Sequence, residues 1–413
     1  MTAPSLSRRG LDAPRPRSAA SPPTPIRRGR AGSPCITSTS ASPTSPPCSR
    51  CSPPTGPTTR ASSPTARPRA IWPIGQLWPS TTTASTPRGG GPITPSQILV
   101  TVGGSEALLF AIAAVCDVGD QILVAEPYYT NYRGFSHLLG VEVVPVSTHA
   151  RDSFAVPPER VRAAITPKTR AFIIPSPGNP TGMVLSAADL AALGEVCVQA
   201  GIFFVVDEVY REFVYPDEPA APDAPAPRAP SVLAVPGLAD HAVMIDSVSK
   251  RYSACGARVG CLVTRNAALY SACLRFGQAR LSPPTVDQYA ALAALRTPAA
   301  DMRAMVDEYR ARRDVIVAGL NAIPGVSCPT PTGAFYLITD LPVADAEDFC
   351  IFMLRDFDLD GETVMMAPAE GFYATPGLGK NQVRIAYVLG RDKLARCLEI
   401  LRAGLEAYNR TSR

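Results

Sequence analysis

From about Ile93 onward the chain alternates short, mainly apolar runs with longer amphipathic stretches. The runs at Ile98–Val102, Gln121–Ala125, Glu142–Val146, Ala171–Pro175, Ile202–Val206, Ala242–Ile245 and Gly260–Thr264 predict strands buried on both faces. Helical spacing predicts helices at Ser105–Ile112, Ser186–Ala200 and Pro284–Leu295, then a long charged helix at Ala299–Ile323 and a closing one at Asp392–Tyr408. Strands alternating with helices predict an α/β fold, a mostly parallel sheet flanked by helices. A smaller α+β lobe is expected after about Leu295, and a Pro/Ala-rich loop over Pro216–Pro230. The expected division is therefore 94–295 for a large domain and 296–413 for a small C-terminal one.

Residues 1–93 have no such texture. They are rich in Pro, Ser, Thr and Arg, and no helix or strand period persists. A chain of this composition cannot offset its ordering entropy by burial, so disorder is expected. The segment also distorts the charge balance. Residues 1–95 contain 12 Arg and a single acid, Asp12, so the net +5 of the whole chain hides a mildly acidic remainder. That argues against nucleic acid as a partner of the main body. No apolar run is long enough for a membrane span, and the polar start lacks a signal-peptide pattern, so a cytoplasmic protein is expected. The cysteines from Cys116 onward sit mostly among apolar neighbours and read as reduced core thiols. Cys48 and Cys51 form an isolated CxxC without a second pair, and a metal site is not expected.

Four short stretches carry chemistry. Ile202 to Val206 end in Asp207, a carboxylate at the carboxyl end of a central strand, where open α/β sheets place ligands. There it needs a cationic partner. Tyr210, three residues on, shares its side of a turn or helix. The strand at Ala242–Ile245 leads into Ser247-Val248-Ser249-Lys250. A lysine in such a loop can be desolvated toward the neutral amine that attacks a carbonyl. Arg258 follows, a forked donor suited to phosphate. Gly103-Gly104-Ser105 join a strand to a helix and present backbone N–H groups as an anion cradle. Pro175 to Gly182 form a stiff loop that presents Asn179. Each feature alone reads equally as a salt bridge, a cap or a turn. Together they supply an amine, an anion for a ring cation, two hydrogen bonders and a phosphate clamp, the set that suits pyridoxal 5′-phosphate (PLP).

The stretch from Ser247 through Lys250 and Arg258 to Gly260 resembles the lysine site of class I/II aminotransferases of PLP fold type I. Asn179-Pro180-x-Gly182, Asp207-x-x-Tyr210 and Val383-Arg384-Ile385 occur in that family's order, and the resemblance spans about residues 94–395. It implies that Lys250 forms the imine with PLP and then shuttles the proton between Cα and C4′. It implies that Asp207 faces the pyridinium nitrogen. An ion pair at about 4 Å and an effective dielectric constant of about 20 is worth about 4 kcal/mol, enough to keep the ring protonated. Asn179 and Tyr210 would bond the ring 3′-oxygen. Gly104, Ser105, the Glu106 backbone N–H, Ser247 and Arg258 would hold the phosphate, and Tyr129 would stack on the ring. Asn179 and Arg384 would contact the substrate, with Arg384 clamping its α-carboxylate. The implied reaction is a ping-pong transfer from an L-amino acid, aspartate first, to a 2-oxo acid such as 2-oxoglutarate, in a homodimer. Arg280 is the candidate for a second substrate carboxylate.

The chain also departs from the family. Ser21 to Arg28 resemble its opening, but between about Gly29 and Pro92 the expected Asn-x-Gly-x-Pro-Asp loop and Tyr-rich helix are missing. Codons for Pro34–Ser45 and Ser80–Thr83, read one frame over, can spell family-like segments, so an out-of-frame stretch is the reading offered here. The gene's nucleotide sequence decides it. If so, one wall of the substrate pocket is lost, and a PLP-binding remnant without turnover stands as the alternative. Lyase or synthase chemistry on the same fold is the other.

Overall fold

The computed structural model describes residues 35–37, 91–216 and 227–411. Most of the segment expected to be disordered lies outside these, as do the CxxC, Ser80–Thr83 and the middle of the Pro/Ala-rich loop. One short piece departs from expectation: Cys35–Thr37 form a strand, β1, paired in parallel with Thr363–Met365.

Seven strands make the main sheet: β2 (Ile98–Val102), β3 (Gln121–Glu126), β4 (Glu142–Ser147), β5 (Thr169–Pro175), β6 (Phe203–Asp207), β7 (Ala242–Ser247) and β8 (Val259–Thr264). Their spatial order is β2-β8-β7-β6-β5-β3-β4. β8 runs antiparallel to both its neighbours. It is the one reversed strand, so the sheet is mostly parallel, and β2, β3, β5, β6 and β7 all end at the same edge.

Period-2 alternation sorts each strand onto two cores. Leu99, Ile122, Val124, Ile173, Val205, Val243 and Leu262 face one side, packed by Ala107, Leu108 and Ala111 of helix α1 (Gly103–Val115). Val100, Leu123, Phe172, Phe204, Val206, Met244 and Val263 face the other. There Leu190, Leu193 and Val196 of a second long helix (Ala187–Ala200) cover them. That helix starts where a Ser186–Asp189 capping box satisfies its first backbone donors.

Three helices follow the sequence pattern to within a few residues: Thr285–Ala294, Ala299–Asn321 and Arg391–Thr411. Five were not anticipated: Asn131–Leu138, Pro158–Ala164, the single turn Val248–Arg251, Ala267–Arg280 and Ala346–Arg355. Beyond the main sheet lies a three-stranded antiparallel one, β11 (Ala367–Pro368), β12 (Gln382–Ala386) and β9 (Tyr336–Asp340). β10 (Thr363–Met365) pairs with β1 instead. A third core joins this lobe to the main sheet through Tyr210, Phe213 and Phe335, whose rings meet edge to face at 5.2–6.3 Å. Among the described residues no helix is long and apolar enough to cross a membrane.

Candidate active site

A cavity of about 380 Å3 opens at the carboxyl edge of the main sheet, against β9 and β12. Gly104, Ser105, Tyr129, Asn179, Asp207, Tyr210, Ser247, Lys250, Arg258 and Arg384 all line it. Residues up to 280 positions apart in sequence thus converge because strands ending at one edge release their loops side by side.

At one end, β2 turns into α1 through Gly103, whose φ is +72°. A Cβ there would lie 2.2 Å from Nη2 of Arg258, so the guanidinium occupies the space that only glycine leaves. Gly260 is equally constrained, since its Cβ would meet the backbone of Gly103 and Gly104 at 2.5–2.6 Å. Arg258 is anchored by its bond from Nη1 to the Cys255 carbonyl, 3.0 Å. Ser247 Oγ donates to the Val259 carbonyl (3.0 Å) and sits 2.8 Å from Ser249 Oγ. Backbone donors, two hydroxyls and a guanidinium around a Cβ-free turn are groups that could hold a phosphate.

Glu106 does not line the cavity. Its backbone N–H lies in the first turn of α1, while its carboxylate accepts from the Val102 N–H and from Arg280 Nε and Nη2, each at 2.8 Å. This corrects the expectation for Arg280. Its guanidinium is held by Glu106 and by the carbonyl of Val100, away from the cavity lining.

Asp207 is buried at the end of β6. Its Oδ2 accepts from the Tyr132 hydroxyl at 3.2 Å and its Oδ1 from the Val209 N–H at 3.4 Å. Burial pushes its carboxyl up to about 6, against the opposing pull of those two bonds and of Lys250. Lys250 sits on a single helical turn, Val248–Arg251, with Nζ 3.8 Å from Cys255 Sγ and 6.0 Å from the Tyr210 ring centre. Cys255, expected in the core, therefore lines the cavity beside the lysine. The Tyr210 hydroxyl lies 3.2 Å from that of Tyr336, and burial raises it well above the ordinary phenol value. Tyr129 stands at the cavity wall, edge to face with Tyr132.

At the far end Arg384 is sandwiched between Tyr336 and Phe372, its Cζ 4.8 and 4.9 Å from their ring centres. Nη1 donates to Asn179 Oδ1 at 3.3 Å. Its buried Nε has no hydrogen-bond partner among the described residues. A buried donor without a partner is costly, and an anion entering the cavity could satisfy it.

Sequence reasoning missed Tyr132, Tyr336 and Phe372. Tyr132 was within reach, three residues beyond Tyr129 and so on its face of a helix. Nothing local marks the other two. Also missed was a buried ionic layer behind the cavity. Arg251, next to Lys250, bridges Glu212 (2.9 Å) and Asp246. Glu208, next to Asp207, pairs with Arg211 at 3.5 Å and accepts from Ser231 and the Val232 N–H.

The family model for aminotransferases of class I and II matches residues 87–401. The chain belongs to this family. A probable aspartate/prephenate aminotransferase of Thermus aquaticus is 33% identical to it over 311 residues, 74% of this chain and 75% of the relative. An aspartate aminotransferase of Geobacillus stearothermophilus is 32% identical over 319 residues, 76% of this chain and 77% of the relative. Among solved structures, a single mutant of Thermus thermophilus aspartate aminotransferase superposes with a TM-score of 0.79 at 26% identity, covering 97% of this chain and all of that one. Aminotransferases of this family use PLP, and this chain is a PLP-dependent aminotransferase. The residues present fit that group. The cradle at Gly103 suits a phosphate. Lys250, Arg258 and Arg384 against Asp207 leave cationic capacity for a phosphate and a carboxylate together.

Proposed function

We propose that this aminotransferase moves an amino group from L-aspartate to a 2-oxo acid such as 2-oxoglutarate in two successive half-reactions on one cavity. The observation that carries this is Arg384, its guanidinium carbon 4.8 and 4.9 Å from two ring centres and its buried Nε without a partner among the described residues, beside the amide of Asn179. A guanidinium so held favours a bidentate, planar anion such as an α-carboxylate. The named activities of the Thermus and Geobacillus relatives support aspartate as donor.

In this reading PLP supplies an aldehyde that takes up the amino group and a ring that draws electrons from Cα. The chain's own residues do the rest. Gly104, Ser105, the Glu106 N–H, Ser247 and Arg258 hold the phosphate. Asp207 keeps a positive charge on the ring nitrogen, and Tyr132 keeps Asp207 aimed. Asn179 and Tyr210 would bond the ring hydroxyl, and Tyr129 would pack against the ring. Lys250 would anchor the cofactor through Nζ, and the same amine, once free of it, would take up and return the substrate's Cα proton. The buried tyrosines exclude water from that transfer. Leu281, next in sequence to Arg280, and Val286 and Tyr289 of the helix that follows are 72%, 71% and 50% exposed, apolar surface that a homodimer would cover.

The test is an absorbance titration of the PLP-loaded protein against a panel of amino acids, prephenate-derived arogenate included. Aspartate is expected to convert the visible cofactor band, and 2-oxoglutarate to restore it. Borohydride reduction is expected to label Lys250, and Lys250→Ala to lose the band. A colourless protein in excess PLP, or label on another side chain, overturns the assignment. A band that aspartate leaves unchanged overturns the donor alone.

A further inference from the structure

Glu126, the last residue of β3, is fully buried yet far from Asp207 and Lys250 in role: it does not line the cavity. Its carboxylate accepts four hydrogen bonds. One comes from Ser147 Oγ at 2.7 Å, inside the main sheet. The other three come from a single stretch of the other lobe: the Ala374 N–H (2.9 Å), the Thr375 N–H (3.1 Å) and Thr375 Oγ1 (2.5 Å). Two residues on, the Tyr128 N–H donates to the Phe372 carbonyl at 2.9 Å. The end of β3 therefore grips residues 372–375 along their backbone.

Those residues belong to the connection between β11 and β12. Phe372 is the ring that lies against the Arg384 guanidinium, and Arg384 stands on β12 opposite Ala367 of β11. An unanchored connection of this length would let Phe372 swing and would free Arg384 to sample other rotamers. A carboxylate accepting backbone N–H groups makes charge-assisted bonds, about twice as strong as neutral ones. The anchor is thus placed where it fixes one wall of the Arg384 sandwich from the opposite lobe.

We infer that Glu126 is a positioning residue for the substrate-carboxylate clamp, acting on Arg384 through the Phe372–Thr375 segment. The inference rests on the reading of Arg384 given above. It predicts a defect confined to the substrate's carboxylate, with cofactor binding untouched.

The experiment compares the PLP-loaded wild type with Glu126→Gln, Thr375→Val and Arg384→Ala. Each is assayed with the best amino donor of the panel and with the amine left when that donor loses its α-carboxylate. In Glu126→Gln an amide NH2 faces backbone donors, so KM for the amino acid is expected to rise about tenfold with kcat within about twofold, and the preference for acid over amine to fall by the same factor. PLP affinity, read from the absorbance band, should not move. Glu126→Asp is expected to recover part of the preference. Thr375→Val, which removes one donor and is gentler on folding, should show the same pattern at about threefold. If Glu126→Gln slows acid and amine alike, or weakens PLP, Glu126 only holds the fold and the inference is overturned. If Arg384→Ala itself spares the acid preference, the reading of Arg384 is what fails, and the inference falls with it.

Discussion

The Tyr132 hydroxyl donates to Asp207 Oδ2 at 3.2 Å, one of two hydrogen bonds holding a carboxylate that burial pushes up to about 6. The same pair links a residue at the start of a helix to the end of the central strand, 75 positions away. In the proposed function it aims the charge that faces the ring nitrogen. Tyr132→Phe removes that bond and should weaken PLP binding about tenfold while leaving the fold intact, as read by cofactor titration and thermal melting.

Asp207 also carries a stability cost in the cofactor-free protein. Its folded value of about 6 lies above the unfolded 3.8, and Glu208 rises from 4.5 to about 7, in each case chiefly through burial. Between about pH 4 and 7 the folded chain therefore binds more protons than the unfolded one, and these two groups make stability fall as pH rises through that window. Asp207→Asn should stabilise the apo-protein at pH 8 by on the order of 2 kcal/mol, with the gain gone by pH 4. The same variant should lose most PLP affinity. Melting curves with and without PLP at both pH values check this, and a gain at pH 4 equal to that at pH 8 would contradict it.

Gly103 and Gly260 separate two kinds of crowding. A Cβ at Gly103 would strike the Arg258 guanidinium, which can move, although the φ of +72° adds strain. Gly103→Ala should fold with a loss of roughly 1–2 kcal/mol and bind PLP at least tenfold more weakly. A Cβ at Gly260 would strike the backbone of Gly103, Gly104 and Asp246, which cannot yield without breaking the β7–β8 pairing. Gly260→Ala should therefore be the more destabilised of the two, measured by urea unfolding.

Arg251 bridges Asp246 and Glu212, all three buried. Arg251→Met takes away the cation those carboxylates share and should cost on the order of 3–5 kcal/mol. Because Arg251 follows Lys250 on one helical turn, the variant should also shift the pH at which the cofactor band changes colour. Arg251→Lys restores charge but not the fork, and should recover only part of the loss.

Much of this protein could be read from the chain alone, and the rest could not, for physical reasons. Seven mainly apolar runs determined the mostly parallel sheet and placed Asp207, Ser247 and the Gly103 turn at strand ends, because strand burial and turn chemistry are local properties. The order of short motifs determined the cofactor. What those positions touch was decided only in three dimensions. Asp207 gave no sign of Tyr132, nor Arg384 of the Tyr336 and Phe372 rings, because side chains meet there from strands that the sheet order, not the sequence order, makes neighbours. Arg280 read as a candidate for a second substrate carboxylate until folding set Glu106 against it, and Cys255 read as core until the turn after Lys250 brought its sulfur to the cavity wall. Local sequence sets which groups a loop presents; packing of distant elements sets which of those groups are already satisfied and which, like the Arg384 Nε, are not.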